Sequence, residues 1–165
     1  MRGLSNPFMK ILLILVGKTA DRRFTDIIED YASRLKHYVS FDIQTIPELK
    51  NTRSLSEEQQ KQAEGELLIK QFQSSDYIVL LDEHGAELRS VEFAKWITKK
   101  MNAVSRRLVF VVGGPYGFSE DIYAKANEKL SLSKMTFSHQ MIRMIFVEQL
   151  YRAMTIIKGE PYHHE

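Results

Sequence analysis

The stretch FVVGGPYGFS, residues 110–119, decides how this chain reads. Leu108 to Val112 form an apolar run with no polar residue on either side of the chain, and it leads directly into Gly113 and Gly114. A strand apolar on both faces belongs inside a parallel sheet covered by helices. Ligands in such sheets sit at the carboxyl ends of the strands. The doubled glycine strips side chains from that end and admits close approach to bare backbone. Gly114-Pro115-Tyr116-Gly117 equally has the composition of a tight turn, and the residues alone leave both readings open.

Working outward, Ile11 to Val16 is a second continuous aliphatic run and predicts another buried strand. Phe24, Ile27, Ile28, Tyr31 and Leu35 recur with helical spacing, so a helix follows and lays one apolar face on the sheet. Phe41 and Ile43 alternate with polar residues up to Pro47, which predicts a strand near an edge. Ser54 with Glu57 fits a capping box opening a helix that runs to Phe72. Tyr77 to Leu81 predicts a strand ended by Asp82 and turned at Gly85, and Ser90 is placed to cap the helix carrying Phe93, Trp96, Ile97 and Met101. Ser119 caps a short helix, with Glu120 and Asp121 suited to its positive end. A final helix of about 140–158 follows LSLSKMTFSH. Strands and helices alternate throughout, which predicts an α/β parallel sheet with helices on both faces. Its ligand loops follow Leu81, follow Val112, and span Leu132 to Ser138.

At 165 residues the chain fits one domain with one core. With 44% hydrophobic and 27% charged residues it has globular composition. There is no cysteine, which excludes disulfides and thiol catalysis. The longest aliphatic run is far too short to span a bilayer, where about 20 residues are needed. No small-x-small cleavage site follows it, so the expected location is cytoplasmic. Net charge is only +2, which permits a nucleic-acid partner without demanding one.

Nucleotide fingerprints are absent: neither G-x-G-x-x-G after the first strand nor G-x-x-x-x-G-K-[ST] occurs. His37, His84, His139, His163 and His164 show no metal-binding spacing, and no metal is expected. His84 reads as an exposed turn residue. His139 and Arg143 lie four apart on one helical face, as a solvated edge or a functional pair. Glu148 and Arg152 repeat that spacing as a surface ion pair. The terminal PYHHE reads as a loose tail.

The segments MKILLILVGK, VLLDEHG, FVVGGPYGFS and LSLSKMTFSHQMIRMIFVEQLYRAMTIIKGEPYH resemble the RlmH family. These are large-subunit ribosomal RNA pseudouridine N3-methyltransferases of the SPOUT superfamily. The resemblance covers a single domain of residues 9–165, with residues 1–8 as an N-terminal extension before the natural-looking start at Met9. It implies a SPOUT-type parallel sheet flanked by helices with a C-terminal trefoil knot, an exception to ordinary topology. It implies S-adenosylmethionine bound among three knot loops, marked by Leu81, by Gly113 and Gly114, and by Leu132, Ser133, Lys134, Met135, Thr136 and Phe137. The glycines then let the cofactor approach. For the chemistry so implied, loss of the N3 proton needs a base and a nearby cation, and the expected residues are Arg143 in the electrostatic role, His139 or His163 as base or positioning group, and Tyr162 in contact with base or cofactor. The resemblance also implies a homodimer through the last helix, a tail completing an active site, and a pseudouridine of the assembled ribosome as substrate. A cofactor-binding ribosome-associated protein without chemistry and a SPOUT transfer-RNA methyltransferase are the alternatives.

Overall fold

Five parallel strands, β1 (Lys10–Val16), β2 (Ser40–Ile46), β3 (Tyr77–Glu87), β4 (Arg107–Val112) and β5 (Glu128–Ser131), make one sheet in the order β2-β1-β4-β3-β5 in the computed structural model. The structure describes residues 9–164; the expected extension, residues 1–8, and Glu165 lie outside the described residues. The two aliphatic runs pair with each other, Ile11 opposite Leu108 through Leu15 opposite Val112, and β2 takes the edge.

Both faces of β1 are covered, which is why every residue after Lys10 in it is apolar. Ile11, Leu13 and Leu15 join a cluster built with α1 (Arg22–Leu35), α3 (Ser90–Ala103) and α5 (Met141–Lys158), where Leu35, Ile97, Phe146 and Leu150 are fully buried. Leu12, Ile14 and Val16 face the other way, onto Leu68 of α2 (Glu57–Ile69) and Ile122 of α4 (Glu120–Lys125). Each such side chain contributes roughly 1.5–3 kcal/mol on leaving water, so the core on both faces holds the sheet rigid under its loops.

Three local expectations are corrected. Ser56, not Ser54, caps α2: its hydroxyl accepts from the Gln59 amide at 3.1 Å and Gln59 Oε1 accepts from the Ser56 amide at 2.9 Å. Ser54 instead closes a single 3-10 turn, Thr52–Ser54. Ser90 is already inside α3; Glu92 accepts the amide of Arg89 at 2.8 Å, while the Ser90 hydroxyl donates to Gln149 at 3.0 Å and ties α3 to α5. The third correction concerns β3, which does not stop at Leu81. Leu81 and Ala86 both pair with Leu130, and Asp82–Gly85 bulges out between those two rungs. Gly85 is no free turn: a Cβ there would lie 2.6 to 2.8 Å from the backbone of Lys129 and Leu130. The bulge throws the first expected loop outward at the carboxyl end of the sheet.

Candidate active site

The chain after β5 runs from one edge of the sheet to β1 across the carboxyl ends of the strands between. On the way Thr136 donates to Glu83 of the β3 bulge at 2.9 Å. Ser138, just ahead of α5, accepts on its hydroxyl from the Met141 amide at 3.0 Å. At the far side Gln140 grips the loop after β1 from both ends of its amide: Oε1 accepts from the Ala20 amide at 2.8 Å and Nε2 donates to the Lys18 carbonyl at 3.2 Å. Residues 132–140 therefore form a strap.

Beneath the strap lies a cavity of about 680 Å³, in the range of small-molecule sites. The three expected loops line it together: Leu81 to His84, Val112 to Phe118, and Leu130 to His139 save Lys134. Val112, Leu130 and Ile142 give it apolar walls. The hydroxyl of Tyr123 on α4 donates to Asp82, so both carboxylates of the bulge are held by neighbouring walls. Burial and the Asp82 carboxylate push the Tyr123 hydroxyl well above its ordinary pKa, which keeps it a proton donor in that bond.

The 114–117 turn is real, with the Gly117 amide donating to the Gly114 carbonyl at 3.2 Å and Gly117 at φ +82°. It also forms a cavity wall. Yet the glycines make room for protein as well. A Cβ on Gly113 would stand 3.0 Å from the Phe118 ring, and one on Gly114 would fall on the Glu64 carboxyl of α2. That carboxyl is buried, receives only a 3.5 Å bond from Gln60, and has its pKa raised chiefly by desolvation.

Leu81, Gly113, Gly114, Leu132, Ser133, Met135, Thr136, Phe137 and His139 thus converge on one cavity. Four expected residues do not. Lys134 is exposed and does not line the cavity. Arg143 is wholly buried beside it, and its guanidinium is committed to the fold: Nη2 donates to the Val16 carbonyl at 2.7 Å, Nη1 to the Gly17 carbonyl at 2.8 Å and Thr19 Oγ1 at 3.0 Å, and Nε to the His139 carbonyl at 2.9 Å. Neither the solvated edge nor a reach into the cavity describes it; it bolts α5 to the end of β1.

Tyr162 and His163 lie elsewhere in this chain. The tail is packed, not loose: the Tyr162 hydroxyl meets Tyr31 at 3.1 Å and donates to Glu148 at 3.0 Å, and its ring lies edge-on to Tyr151 at 4.8 Å. Arg152 holds Glu148 at 2.6 Å, a half-buried pair rather than a surface one, and contacts His163 Nδ1 at 3.2 Å. Sequence reasoning missed Tyr123, Ile142 and, from α2, Glu57 and Lys61 as lining residues. The last two share a helical face with Glu64, and that spacing was the only signal for them.

An α/β sheet whose ligand cavity is roofed by a strap between β5 and α5 is the arrangement expected of a SPOUT methyltransferase. The family described as "Predicted SPOUT methyltransferase" matches residues 9–163, and the chain belongs to that family. It is 62% identical over 157 residues to the protein named ribosomal RNA large subunit methyltransferase H of Bacteroides fragilis, covering 95% of this chain and 100% of that one. The protein of the same name from Bacteroides thetaiotaomicron matches equally, at 62% over 157 residues. That of Flavobacterium johnsoniae is 53% identical over 157 residues. No group of three or more metal-ligating side chains occurs among the described residues, and none of their helices is long and apolar enough to cross a membrane.

Proposed function

We propose that this chain is an S-adenosylmethionine-dependent enzyme that methylates N3 of a pseudouridine in large-subunit ribosomal RNA, on the assembled ribosome in the cytoplasm. The observation that carries the reading is the convergence of three loops, distant in sequence, on one cavity in a member of a methyltransferase family. The fit to the cofactor rests on what those loops offer: apolar walls for a methionyl chain and a purine face, and the half-buried main chain of Gly113, Gly114 and Leu132 along the cavity for polar contacts. S-adenosylmethionine supplies an electrophilic methyl group on a sulfonium. The C-terminal trefoil knot belongs to this proposal, the strap being the segment that passes through it.

The chain's own residues supply position and a proton route. Two imidazoles line the cavity, His84 on the β3 bulge and His139 on the strap; Arg143 holds the His139 backbone in place, and His139 is the one assigned to accept the proton leaving N3. Arg143 acts as a positioning residue, through backbone. Tyr162 and His163 serve the active site of a second copy: a homodimer through the outer face of α5, where Met141 is 41% exposed, carries one protomer's tail to its partner's strap. Sedimentation of Met141→Glu as a monomer, against a dimeric parent, checks that pairing.

The test is transfer of labelled methyl from S-adenosylmethionine to whole ribosomes, free large-subunit RNA and transfer RNA in parallel. Label on whole ribosomes, lost when the pseudouridine is replaced by uridine, supports the reading. Label on transfer RNA, or cofactor binding with no transfer to any of them, overturns it in favour of the alternatives. His139→Ala is expected to lower kcat by about a hundredfold, the scale of a lost general base, with cofactor affinity kept.

A further inference from the structure

Methyl transfer to a base inside structured RNA requires that base to leave its stack and enter the cavity, while the phosphates on either side stay outside. What stands at the mouth then decides how the backbone lies. One rim, the β3 bulge, carries Asp82 and Glu83, and these repel phosphate. The strap side differs. Lys134 stands exposed near its β5 end, and at its other end the Gln140 amide holds the loop from which Lys18 projects, also exposed. Arg22 opens α1 four residues further on. None of the three forms an ion pair among the described residues, whereas neighbouring Arg23 is held by Asp21 at 2.7 Å. The loop bearing Lys18 is fixed twice over, by Gln140 and by Arg143 on the carbonyls of Val16 and Gly17. The Lys18 side chain is thus presented to solvent from an ordered loop next to the strap.

We infer that Lys18, Arg22 and Lys134 form a phosphate-contacting edge along the strap, engaging the RNA backbone that flanks the nucleotide entering the cavity. This rests on the reading of the chain as a ribosomal RNA methyltransferase and adds to it the surface that seats the substrate. Gln140 is the positioning residue of that edge, because it ties the Lys18 loop to the same strap that roofs the cofactor cavity. Lys134 thereby leaves the cofactor set and joins the RNA set.

The experiment compares the full-length parent with Lys18→Ala, Arg22→Ala, Lys134→Ala and the charge-keeping Lys18→Arg. Lys99→Ala, on the exposed side of α3 away from the cavity, serves as control. Binding to whole ribosomes is measured across a potassium chloride series, with steady-state methyl transfer and calorimetric S-adenosylmethionine binding in parallel. Each alanine variant at the edge should raise KM for ribosomes severalfold, leave kcat and cofactor affinity in place, and reduce the slope of log affinity on log salt by about 0.7–0.9. Lys18→Arg should retain the parent's slope, and Lys99→Ala should match the parent throughout. An unchanged slope and KM in the three alanine variants overturns the inference, as does a loss confined to cofactor binding. A parent protein that transfers no methyl to ribosomes overturns the functional reading itself, and is seen before any variant is compared.

Discussion

At the amino end of the sheet Lys100 meets Glu128 at 2.6 Å and Tyr77 at 2.9 Å, with the Trp96 indole donating to the same carboxylate at 3.1 Å. Next to them Arg107 grips Asp76, whose side chain is fully buried, with bonds of 2.8 and 2.7 Å. At the carboxyl end Lys18, Arg22 and Lys134 stand without ion pairs among the described residues, and the hydrogen bonds that exist run between loops around an open cavity. The same rigid strands connect the two. The cluster at the amino end is closed within the fold, whereas Lys18, Arg22 and Lys134 are left available to a partner. Arg143 is a cation at the open end whose hydrogen bonds all go to parts of the fold.

That contrast is open to attack one residue at a time. The largest effect is expected at the closed end. Arg107→Met leaves Asp76 buried without its partner and should lower stability by about 3–5 kcal/mol in urea unfolding, while methyl transfer per folded molecule stays as it was. Arg143→Ala should lower stability by about 3 kcal/mol by stranding buried carbonyls. Unlike Arg107→Met, it should reduce turnover and cofactor affinity together, because the strap loses its anchor; kcat falling alone would return Arg143 to direct catalysis.

Gly85→Ala comes next, at about 1–3 kcal/mol, since a methyl group there meets the backbone of β5 rather than a side chain able to move. Its cofactor affinity by calorimetry should drop as the bulge shifts. The smallest effect is expected at Glu64. Burial raises its carboxyl pKa, so the folded state holds its proton more firmly than the unfolded chain does. Stability from this group is complete below the unfolded value of about 4.3 and declines as pH rises through the raised folded value. Glu64→Gln should therefore match the parent near pH 4 and melt higher than it at pH 7.

How far the sequence reaches follows from the range of each interaction. Ile11–Val16 and Leu108–Val112 are read correctly because burial on both faces is written into every residue of the run, and one of the three cavity loops follows directly from where the second of them ends. Ser56 was missed in favour of Ser54 because two serines near one helix start satisfy nearly the same local pattern. The β3 bulge is invisible locally, since Gly85 answers to β5, more than forty residues later. The hydrogen bonds of Arg143 were illegible for the same reason: two of the carbonyls it satisfies lie 126 and 127 residues earlier. A helical wheel shows only that it shares a face with His139. The tail was read as loose because Pro161, Tyr162 and His163 show no periodicity; its order comes from Tyr31, Glu148 and Tyr151.

The central claim is that S-adenosylmethionine is held by the three loops at the carboxyl end of the sheet. Amide chemical shifts of the isotope-labelled protein, recorded while the cofactor is titrated in, test it directly. The account predicts large shifts confined to residues 81–85, 112–118 and 130–142, with the cluster of Tyr77, Lys100 and Glu128 unmoved. Shifts centred on that closed end, or on the α1–α5 tail packing alone, would contradict it.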